Sequence, residues 1–202
     1  METKFKISLQ GLLQSGKPVI LELGCGNTKA PGSIGIDKLD LPAVDIVTDV
    51  ERGLPFFPDN SVDQIHSKSF LEHLDNFERV MGEMVRILKT NGRCRLYLPH
   101  FSNPYYYSDY THRRFFGLYT FCYFTDEKNQ LKRKVPSFYT NIRIKILSHK
   151  LVFTSPFIGR NLLKKLFEVL FNLNRGTQEF YEENLCWIFP CYALEIEFTP
   201  DK

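Results

Sequence analysis

The most specific chemical signal in the chain is a pair of glycines placed directly after a short apolar run. Gly24 and Gly26 flank Cys25 and follow residues 18–23, which read PVILEL and predict a buried strand. At such a point the backbone can turn tightly and come close to a bound ligand. An acidic residue, Asp37, closes a second predicted strand over residues 33–37. The two features together predict a ligand site at the ends of these strands.

Two common phosphate-binding motifs do not fit this glycine turn. A dinucleotide fingerprint needs a third glycine and an acidic partner about 20 residues further on. Here Lys29 takes the place of the third glycine, and Asp37 follows Gly26 by only eleven residues. No GK[ST] triplet follows either, which excludes a Walker A loop.

The elements that must position these residues alternate in type. Residues 44–48, 62–66 and 93–98 predict three more strands, and apolar residues at helical spacing predict a helix over 74–89 with Asp75 as its N-cap. Residues 162–173 predict a later helix, and 191–199 a late strand. Such alternation predicts a doubly wound α/β sheet, in which ligands bind beyond the carboxyl ends of the strands.

Composition limits the class of protein. With 202 residues, 43% hydrophobic and 24% charged, the chain has the size and balance of one globular domain. Its five cysteines are widely spaced without a CxxC pair, so we expect no disulfide framework and no metal site. The chain shows no secretory signal or membrane-spanning run, and we expect it in the cytoplasm.

Several further segments of the chain match the pattern of one protein family. LELGCG, Asp37, the segment TDVERGLPFFPDNSVDQIHSKSFLEHL and an NG–strand–LPH ending follow one another in register. Over residues 18–100 the chain resembles class I S-adenosylmethionine-dependent methyltransferases of the methyltransferase-11-like subgroup. The resemblance implies a Rossmann-like, mainly parallel, seven-stranded sheet with an antiparallel last strand and helices on both faces. Only residues 27–32 are available for the first helix, which we expect to be shortened or replaced by a loop.

The resemblance also implies roles for individual residues. Gly24, Cys25 and Gly26 would let the methionine part of S-adenosylmethionine lie against the backbone, and Glu22 would help to orient its amino group. Asp37 would accept the two ribose hydroxyls. Asp49 and Val50 would hold the adenine, and Ser67 would contact the methionine part. Cys25 is expected to be a small turn residue rather than a nucleophile, and His73 in LEHL to pack locally.

The methyl acceptor is expected beyond the fifth strand, where an aromatic insertion begins. Eleven aromatic residues lie between Phe101 and Phe124. Histidine titrates near neutral pH, so His100 and His112 are the predicted proton acceptors. Tyr106 and Tyr110 are predicted to line the acceptor pocket. The alternative is that part of this cluster fills the core.

The predicted domain is therefore one unit over residues 1–202. It comprises a cofactor half (18–100), an acceptor-site insertion (101–140) and a sheet-completing end (141–202). The expected activity is methyl transfer to an oxygen or nitrogen of a small molecule or of a glycan or natural-product precursor, and the expected partner is a small-molecule, glycan or peptide acceptor. A protein, peptide or nucleic-acid methyltransferase is the alternative, and a non-catalytic cofactor-binding module is a third. HSKS stands where some nucleic-acid enzymes carry NPPY, which argues against nucleic acid.

One charged region suggests a further partner. Residues 126–165 hold ten Lys and Arg against two acids. Residues 160–173 are amphipathic as a helix, so this region could bind an anionic substrate, contact a membrane surface peripherally, or only face solvent and cover the sheet.

Overall fold

A single mixed sheet organises the chain, which we describe over residues 2–202 from a computed structural model. The strands, in chain order, are β1 Lys4–Phe5, β2 Ile20–Leu23, β3 Ile34–Asp37, β4 Ile46–Val47, β5 Val62–Lys68, β6 Leu88–Pro99, β7 Ile144–Val152 and β8 Ala193–Pro200. The helices are α1 Leu9–Gln14, α2 Phe77–Ile87, α3 Ile158–Phe171 and α4 Arg175–Asn184. The strand order across the sheet is β1-β4-β3-β2-β5-β6-β8-β7.

The predicted doubly wound topology is confirmed. Strands β4, β3, β2, β5 and β6 pair in parallel, and β8 runs antiparallel to both β6 and β7. The chain leaves β2 on one side for β3 and later returns to its other side for β5. Such a reversal opens a crevice at the carboxyl ends of β2 and β5, where ligands bind in this class of sheet.

Two strands were not located from the sequence. β1 has two residues and pairs antiparallel with β4, which makes eight strands where seven are predicted. β7 lies in the basic region and alternates buried Ile144 and Ile146 with exposed Lys145 and Leu147. A two-residue strand is too short for a periodic pattern, and exposed Leu147 interrupts the alternation of apolar and polar residues in β7.

The segment between β2 and β3 contains no helix. Residues 24–33 form turns and loop, as the short spacing predicts. Glu22 stabilises this loop, because its Oε2 accepts hydrogen bonds from the Ala30 N–H at 2.7 Å and from the Ser33 hydroxyl at 3.2 Å. Beside it, polar residues of the central strands line an open concavity of about 500 Å³ that includes Glu22, His66 and Arg95.

The predicted helix over residues 74–89 is shorter in the structure. α2 begins at Phe77, and its N-cap is Asn76, whose side chain accepts from the Arg79 N–H. The predicted cap at Asp75 is therefore wrong by one residue. Asp75 instead pairs with Arg113 of the aromatic insertion, at 2.6 Å. The buried face of α2 is apolar, as the helical spacing predicts; it consists of Val80, Met81, Met84 and Ile87.

Part of the aromatic insertion lies in the hydrophobic core. Phe116, Phe121 and Phe124 are buried, and each ring lies within about 6 Å of the Phe77 ring at the start of α2. These contacts attach the insertion to the helix that follows β5. Within residues 2–202, every helix is too short or too polar to cross a bilayer.

Candidate active site

The glycine turn lies at the carboxyl end of β2, and its two glycines have different surroundings. Both have positive φ, +67° at Gly24 and +54° at Gly26, a conformation that favours glycine. A Cβ at Gly24 would lie 2.2 Å from carbons of the Phe70 ring, whereas a Cβ at Gly26 would meet nothing within 4 Å. Gly24 is therefore packed against protein, and Gly26 faces open space where a ligand can approach.

Asp37 joins the ends of two strands. Its Oδ2 accepts a hydrogen bond from the Gly26 N–H at 2.9 Å, and its Oδ1 accepts one from the Leu39 N–H at 2.9 Å. Each carboxylate oxygen has a second lone pair, so the group retains the capacity to accept two hydroxyl protons from a ligand. This placement beside the glycine turn suits the ribose role that the resemblance implies.

Cys25 is part of the packing of the turn. Its side chain is buried with Val44 and Val47, and burial, reinforced by the Asp37 carboxylate, raises the pKa of its thiol to about 11. A thiol with such a pKa is protonated at neutral pH and is a poor nucleophile. The geometry agrees with the expectation of a small turn residue.

The other residues that are expected to hold S-adenosylmethionine also lie at this edge of the sheet. Asp49 follows β4 and accepts the Glu51 N–H at 3.1 Å, and the side chain of Val50 is buried beside it. The Ser67 hydroxyl donates to the Leu23 carbonyl at 3.0 Å and so ties β5 to the last residue of β2. Glu22 points into the loop after the turn, where it stabilises the chain as described above.

A second cavity, of about 370 Å³, lies beyond the carboxyl ends of β5 and β6. Ser69, directly after β5, lines it with φ at +50°, which is unusual for a residue other than glycine and occurs most often at functional sites. The other lining residues are Glu72, His73, Tyr97, Pro99, Asn103, Tyr105, Tyr106, Asp109, His112, Tyr192 and Ala193. We refer to this cavity as the acceptor pocket.

Glu72 is the most unusual group in the acceptor pocket. The residue is 1% exposed, and its Oε2 has no hydrogen-bond partner. Burial, together with the nearby Asp109 carboxylate, raises the Glu72 pKa to about 7. A buried carboxyl without a partner is costly, and one that borders a cavity is a candidate functional group.

Two histidines beside Glu72 are held in a defined tautomer. His112 Nδ1 lies 2.9 Å from the Tyr106 carbonyl, which can only accept, so Nδ1 carries a proton and Nε2 is the nitrogen that has the lone pair in the neutral ring. The Thr111 hydroxyl donates to Asp109 at 2.6 Å and therefore accepts from His73 Nδ1 at 2.9 Å. The same tautomer follows for His73. Burial, and His112 beside it, lower the His73 pKa below its ordinary value.

The two histidines and Glu72 form one cluster. His112 Nε2 is 3.5 Å from Asp109 Oδ2 and 4.0 Å from Glu72 Oε1. Glu72, His73 and His112 each offer a potential metal ligand atom, and these atoms lie within 4.8 Å of one another. Ligand atoms around a tetrahedral zinc are only about 3.3 Å apart, given bond lengths of about 2.0 Å. The 4.0 Å between His112 Nε2 and Glu72 Oε1 exceeds that spacing, and in the present arrangement these two groups are placed for hydrogen bonding and proton transfer.

The four predicted acceptor-side residues have different environments. Tyr106 lines the acceptor pocket, donates its hydroxyl to the Arg114 carbonyl at 2.6 Å, and packs against His112 with ring centres 4.5 Å apart. Tyr110 is 98% exposed and is not among the lining residues. His100 is fully buried; its Nδ1 accepts from the Ser102 N–H at 3.1 Å and its Nε2 contacts Glu182 at 3.1 Å. The structure thus brings His112 and Tyr106 together and keeps His100 and Tyr110 apart from them.

Sequence reasoning missed Glu72 and Asp109 and assigned His73 to packing. The signal was present but ambiguous: LEHL puts an acid beside a histidine, and SDYTH puts an acid three residues before His112. The contact between the two segments is long-range. The Glu72 carbonyl accepts hydrogen bonds from the Arg113 and Arg114 N–H groups at 2.7 and 3.1 Å, and this pairing places His112 over Glu72.

Comparisons with known proteins identify the family and the fold. A family model described as "Methyltransferase domain" matches residues 21–96, the part of the chain that carries the glycine turn, Asp37, Asp49 and Glu72. Residues 21–96 form a class I S-adenosylmethionine-dependent methyltransferase domain. The resemblance seen in the sequence is thereby confirmed for its family, its enzyme class and its methyl donor.

Solved structures share the fold at low sequence identity. The YcgJ protein of Bacillus subtilis is 15% identical, with a TM-score of 0.53 over 96% of this chain and 98% of that one. A S-adenosylmethionine-dependent methyltransferase of Archaeoglobus fulgidus is 16% identical, with a TM-score of 0.50 over 91% and 86%. Haemonchus contortus phosphoethanolamine N-methyltransferase 2 is 15% identical, with a TM-score of 0.52 over 96% of this chain and 51% of that one. A search of curated proteins finds no match.

Proposed function

We propose that this methyltransferase transfers the methyl group to an oxygen or nitrogen of a small molecule or of a glycan or natural-product precursor bound in the acceptor pocket. The volume of about 370 Å³ is in the range of small-molecule sites. The tyrosines at 97, 105, 106 and 192 offer faces for a sugar ring or an amine. The observation that carries the proposal is the buried, unpartnered Glu72 carboxyl beside His112 at the edge where the donor is expected.

The donor would be held at the glycine turn. Asp37 would accept the ribose hydroxyls, the backbone at Gly24, Cys25 and Gly26 would border the methionine part, and Asp49 and Val50 would border the adenine. When bound, S-adenosylmethionine supplies an electrophilic methyl group on a positively charged sulfur. The loop around Glu22 and Asp37 would hold the donor in one orientation, which is the main contribution a protein makes to an in-line displacement.

The acceptor cluster would remove the proton. A lone pair of the acceptor oxygen or nitrogen forms the new bond to the methyl carbon, and the carbon–sulfur bond breaks with its electrons remaining on sulfur. The acceptor's proton then passes to His112 Nε2, whose lone pair is fixed by the Nδ1 hydrogen bond to Tyr106. The Glu72 carboxylate, whose Oε1 lies 4.0 Å from His112 Nε2, would stabilise the protonated imidazole.

The chemistry of the cysteines supports a cytoplasmic setting for this reaction. All five cysteines, each in the described part of the chain, are buried and unpaired, which suits a reducing compartment.

Two measurements test the proposal. Calorimetry should detect binding of S-adenosylhomocysteine to the purified chain, and no binding would overturn the donor site. The enzyme is then incubated with methyl-labelled S-adenosylmethionine and fractions of host extract. We expect label in small-molecule or glycan-precursor fractions. Label that is released only by nuclease or by digestion of intact protein would support the alternative acceptor class instead.

A further inference from the structure

Helix α3 exposes a continuous apolar stripe to solvent. The stripe consists of Ile158, Leu162, Leu166, Val169 and, just after the helix, Leu173. Their spacing of three or four residues places them on one side of the helix. Ile158 is 91% exposed and Leu162 is 76% exposed. A contiguous exposed patch of this kind marks an interaction surface more often than a scattered apolar residue does.

The opposite side of α3 already attaches the helix to the protein. Phe171 is buried in the core, and Glu168 Oε2 accepts the Phe153 N–H at 2.8 Å. Lys164 Nζ donates to the Pro190 carbonyl at 2.9 Å. Since these contacts hold the helix, the apolar stripe is not needed to fold it.

The acidic and basic residues of α3 differ in exposure. Glu168 is the single acidic residue of the helix; it is turned inward, with its side chain 16% exposed, and lies 3.1 Å from Lys165 Nζ. Arg160 and Lys165 are exposed, and Arg175 follows at the start of α4. Lys165 lies at the edge of the stripe, whereas Arg160 precedes Lys164 by four residues and lies towards the anchored side, at the N-terminal end of the helix. An exposed apolar stripe with basic residues near it and no exposed acid on its helix has the chemistry of a helix that lies in the headgroup layer of an anionic bilayer.

A second exposed segment extends the patch. The Phe189 ring lies 4.6 Å from the Phe167 ring of α3, which places residues 187–189 beside the helix. Trp187 and Ile188 in this segment are about two-thirds exposed. Tryptophan suits the boundary between lipid and water, because its ring is apolar and its N–H needs a polar partner.

We propose that the stripe of α3 and residues 187–188 dock this methyltransferase peripherally on an anionic lipid surface. A second copy of the chain fits less well. A twofold interface places the same patch against itself, so the basic residues around the stripe of one copy would lie near those around the stripe of the other. Anionic headgroups would instead neutralise them.

Docking would also orient the enzyme. Tyr192, which lines the acceptor pocket, follows Phe189 by three residues, a span of at most about 10 Å. That side of the acceptor pocket would lie close to the headgroups, a position suited to an acceptor carried by a lipid. The docking itself does not depend on which atom is methylated.

Vesicle co-sedimentation tests the docking. The full chain is mixed with vesicles of phosphatidylcholine, with or without phosphatidylglycerol. We expect binding at least about tenfold tighter with phosphatidylglycerol, because two basic residues contribute roughly fivefold each. Leu162→Asp/Leu166→Asp should abolish binding. The matched control is Phe138→Asp/Tyr139→Asp, which charges two exposed aromatic residues outside the patch and should bind as the parent chain does.

Three outcomes would overturn the docking proposal. They are no binding to either vesicle, equal loss in the control variant, and a concentration-dependent dimer that Leu162→Asp/Leu166→Asp dissociates. Calorimetry with S-adenosylhomocysteine runs in parallel. A variant that loses vesicle binding but binds the nucleoside normally separates a failure of docking from a failure of the proposed function.

Discussion

The sheet edge that carries the glycine turn and Asp37, which we call the donor edge, is adjacent to the acceptor pocket. The two regions of this methyltransferase are built differently. At the donor edge, carboxylates of Glu22 and Asp37 accept hydrogen bonds from backbone N–H groups of loops that take the place of helices. In the acceptor pocket, side chains from two distant segments meet around Glu72, and the Tyr106 ring packs against the His112 ring at an angle of 41°. The donor edge is thus specified by local spacing, and the acceptor pocket by long-range contact.

The two carboxylates illustrate the difference. Both oxygens of Asp37 accept backbone N–H groups, which suits a group that holds a ligand in place. Glu72 Oε2 accepts none, and burial raises the Glu72 pKa to about 7. A carboxyl that is half protonated at neutral pH suits proton handling. Each of the following experiments tests this division.

The largest effect is expected from His112→Gln. Glutamine keeps a polar side chain of similar length but cannot take the acceptor's proton, so kcat should fall by roughly 10² to 10⁴. Binding of S-adenosylhomocysteine should stay within about twofold, because His112 lies in the acceptor pocket. Single-turnover rates and calorimetry measure the two quantities. A loss of nucleoside affinity equal to the loss in rate would contradict the separation of the two regions.

Asp37→Ala should weaken the binding of S-adenosylhomocysteine, which His112→Gln should leave almost unchanged. The variant removes the acceptor of two backbone hydrogen bonds and the expected ribose contact, so S-adenosylhomocysteine affinity should fall about a hundredfold or more. Asp40→Ala is the control: Asp40 is an exposed acid nearby that pairs with Lys4 and Lys6. Equal affinity losses in both variants would indicate a general electrostatic effect rather than a ribose contact.

Alanine substitutions at the two glycines of the turn should differ in their effect on stability. Gly24→Ala places a Cβ 2.2 Å from the Phe70 ring at a positive φ, and should lower the free energy of unfolding by roughly 2–4 kcal/mol. Gly26→Ala meets open space and should cost only the conformational term, about 1 kcal/mol. Denaturant titration compares them. A Gly26→Ala variant that is as unstable as Gly24→Ala would mean that the turn is packed throughout.

These contrasts explain how much the sequence could predict. The positions of the parallel strands along the chain, the shortened or absent first helix and the placement of Gly24 and Asp37 at one edge follow from local patterns, because each pattern lies within a few residues of its strand. His112 and Tyr106 were also proposed from the sequence, and they lie together. Glu72 could not be chosen, because its burial depends on residues 111–114, about forty positions away.

The sequence was least informative about His100. Its position after the fifth strand is where an acceptor group is expected, but its ring is turned into the interior, towards Ser102 and Glu182. Glu182 lies on α4, and no local pattern relates the two residues. Strand β7 was missed for a different reason, because exposed Leu147 interrupts the alternation of apolar and polar residues.

Glu72→Gln should change the pH dependence of stability. The folded-state pKa of about 7 exceeds the ordinary glutamate pKa of 4.5, so between these two pH values the folded chain holds this proton while the unfolded chain releases it. The parent chain should therefore lose stability as the pH rises from about 4.5 to 7, by roughly 1–3 kcal/mol, and remain at that level above 7. Glutamine carries no titrating proton and removes this slope. Thermal unfolding at several pH values measures it, and parallel curves for the two proteins would contradict a buried Glu72.

The smallest effect is expected at Tyr110. Its ring is 98% exposed and lies outside the acceptor pocket, so Tyr110→Ala should leave kcat/KM within about twofold and stability within about 0.5 kcal/mol. Tyr106→Phe is the informative partner, because it removes the hydroxyl that donates to the Arg114 carbonyl and should cost about 1 kcal/mol of stability. A large rise in KM for Tyr110→Ala alone would show that the acceptor extends out of the cavity onto the exposed side of the insertion. That result would relocate the acceptor site, since Tyr110 is not among the residues that line the acceptor pocket.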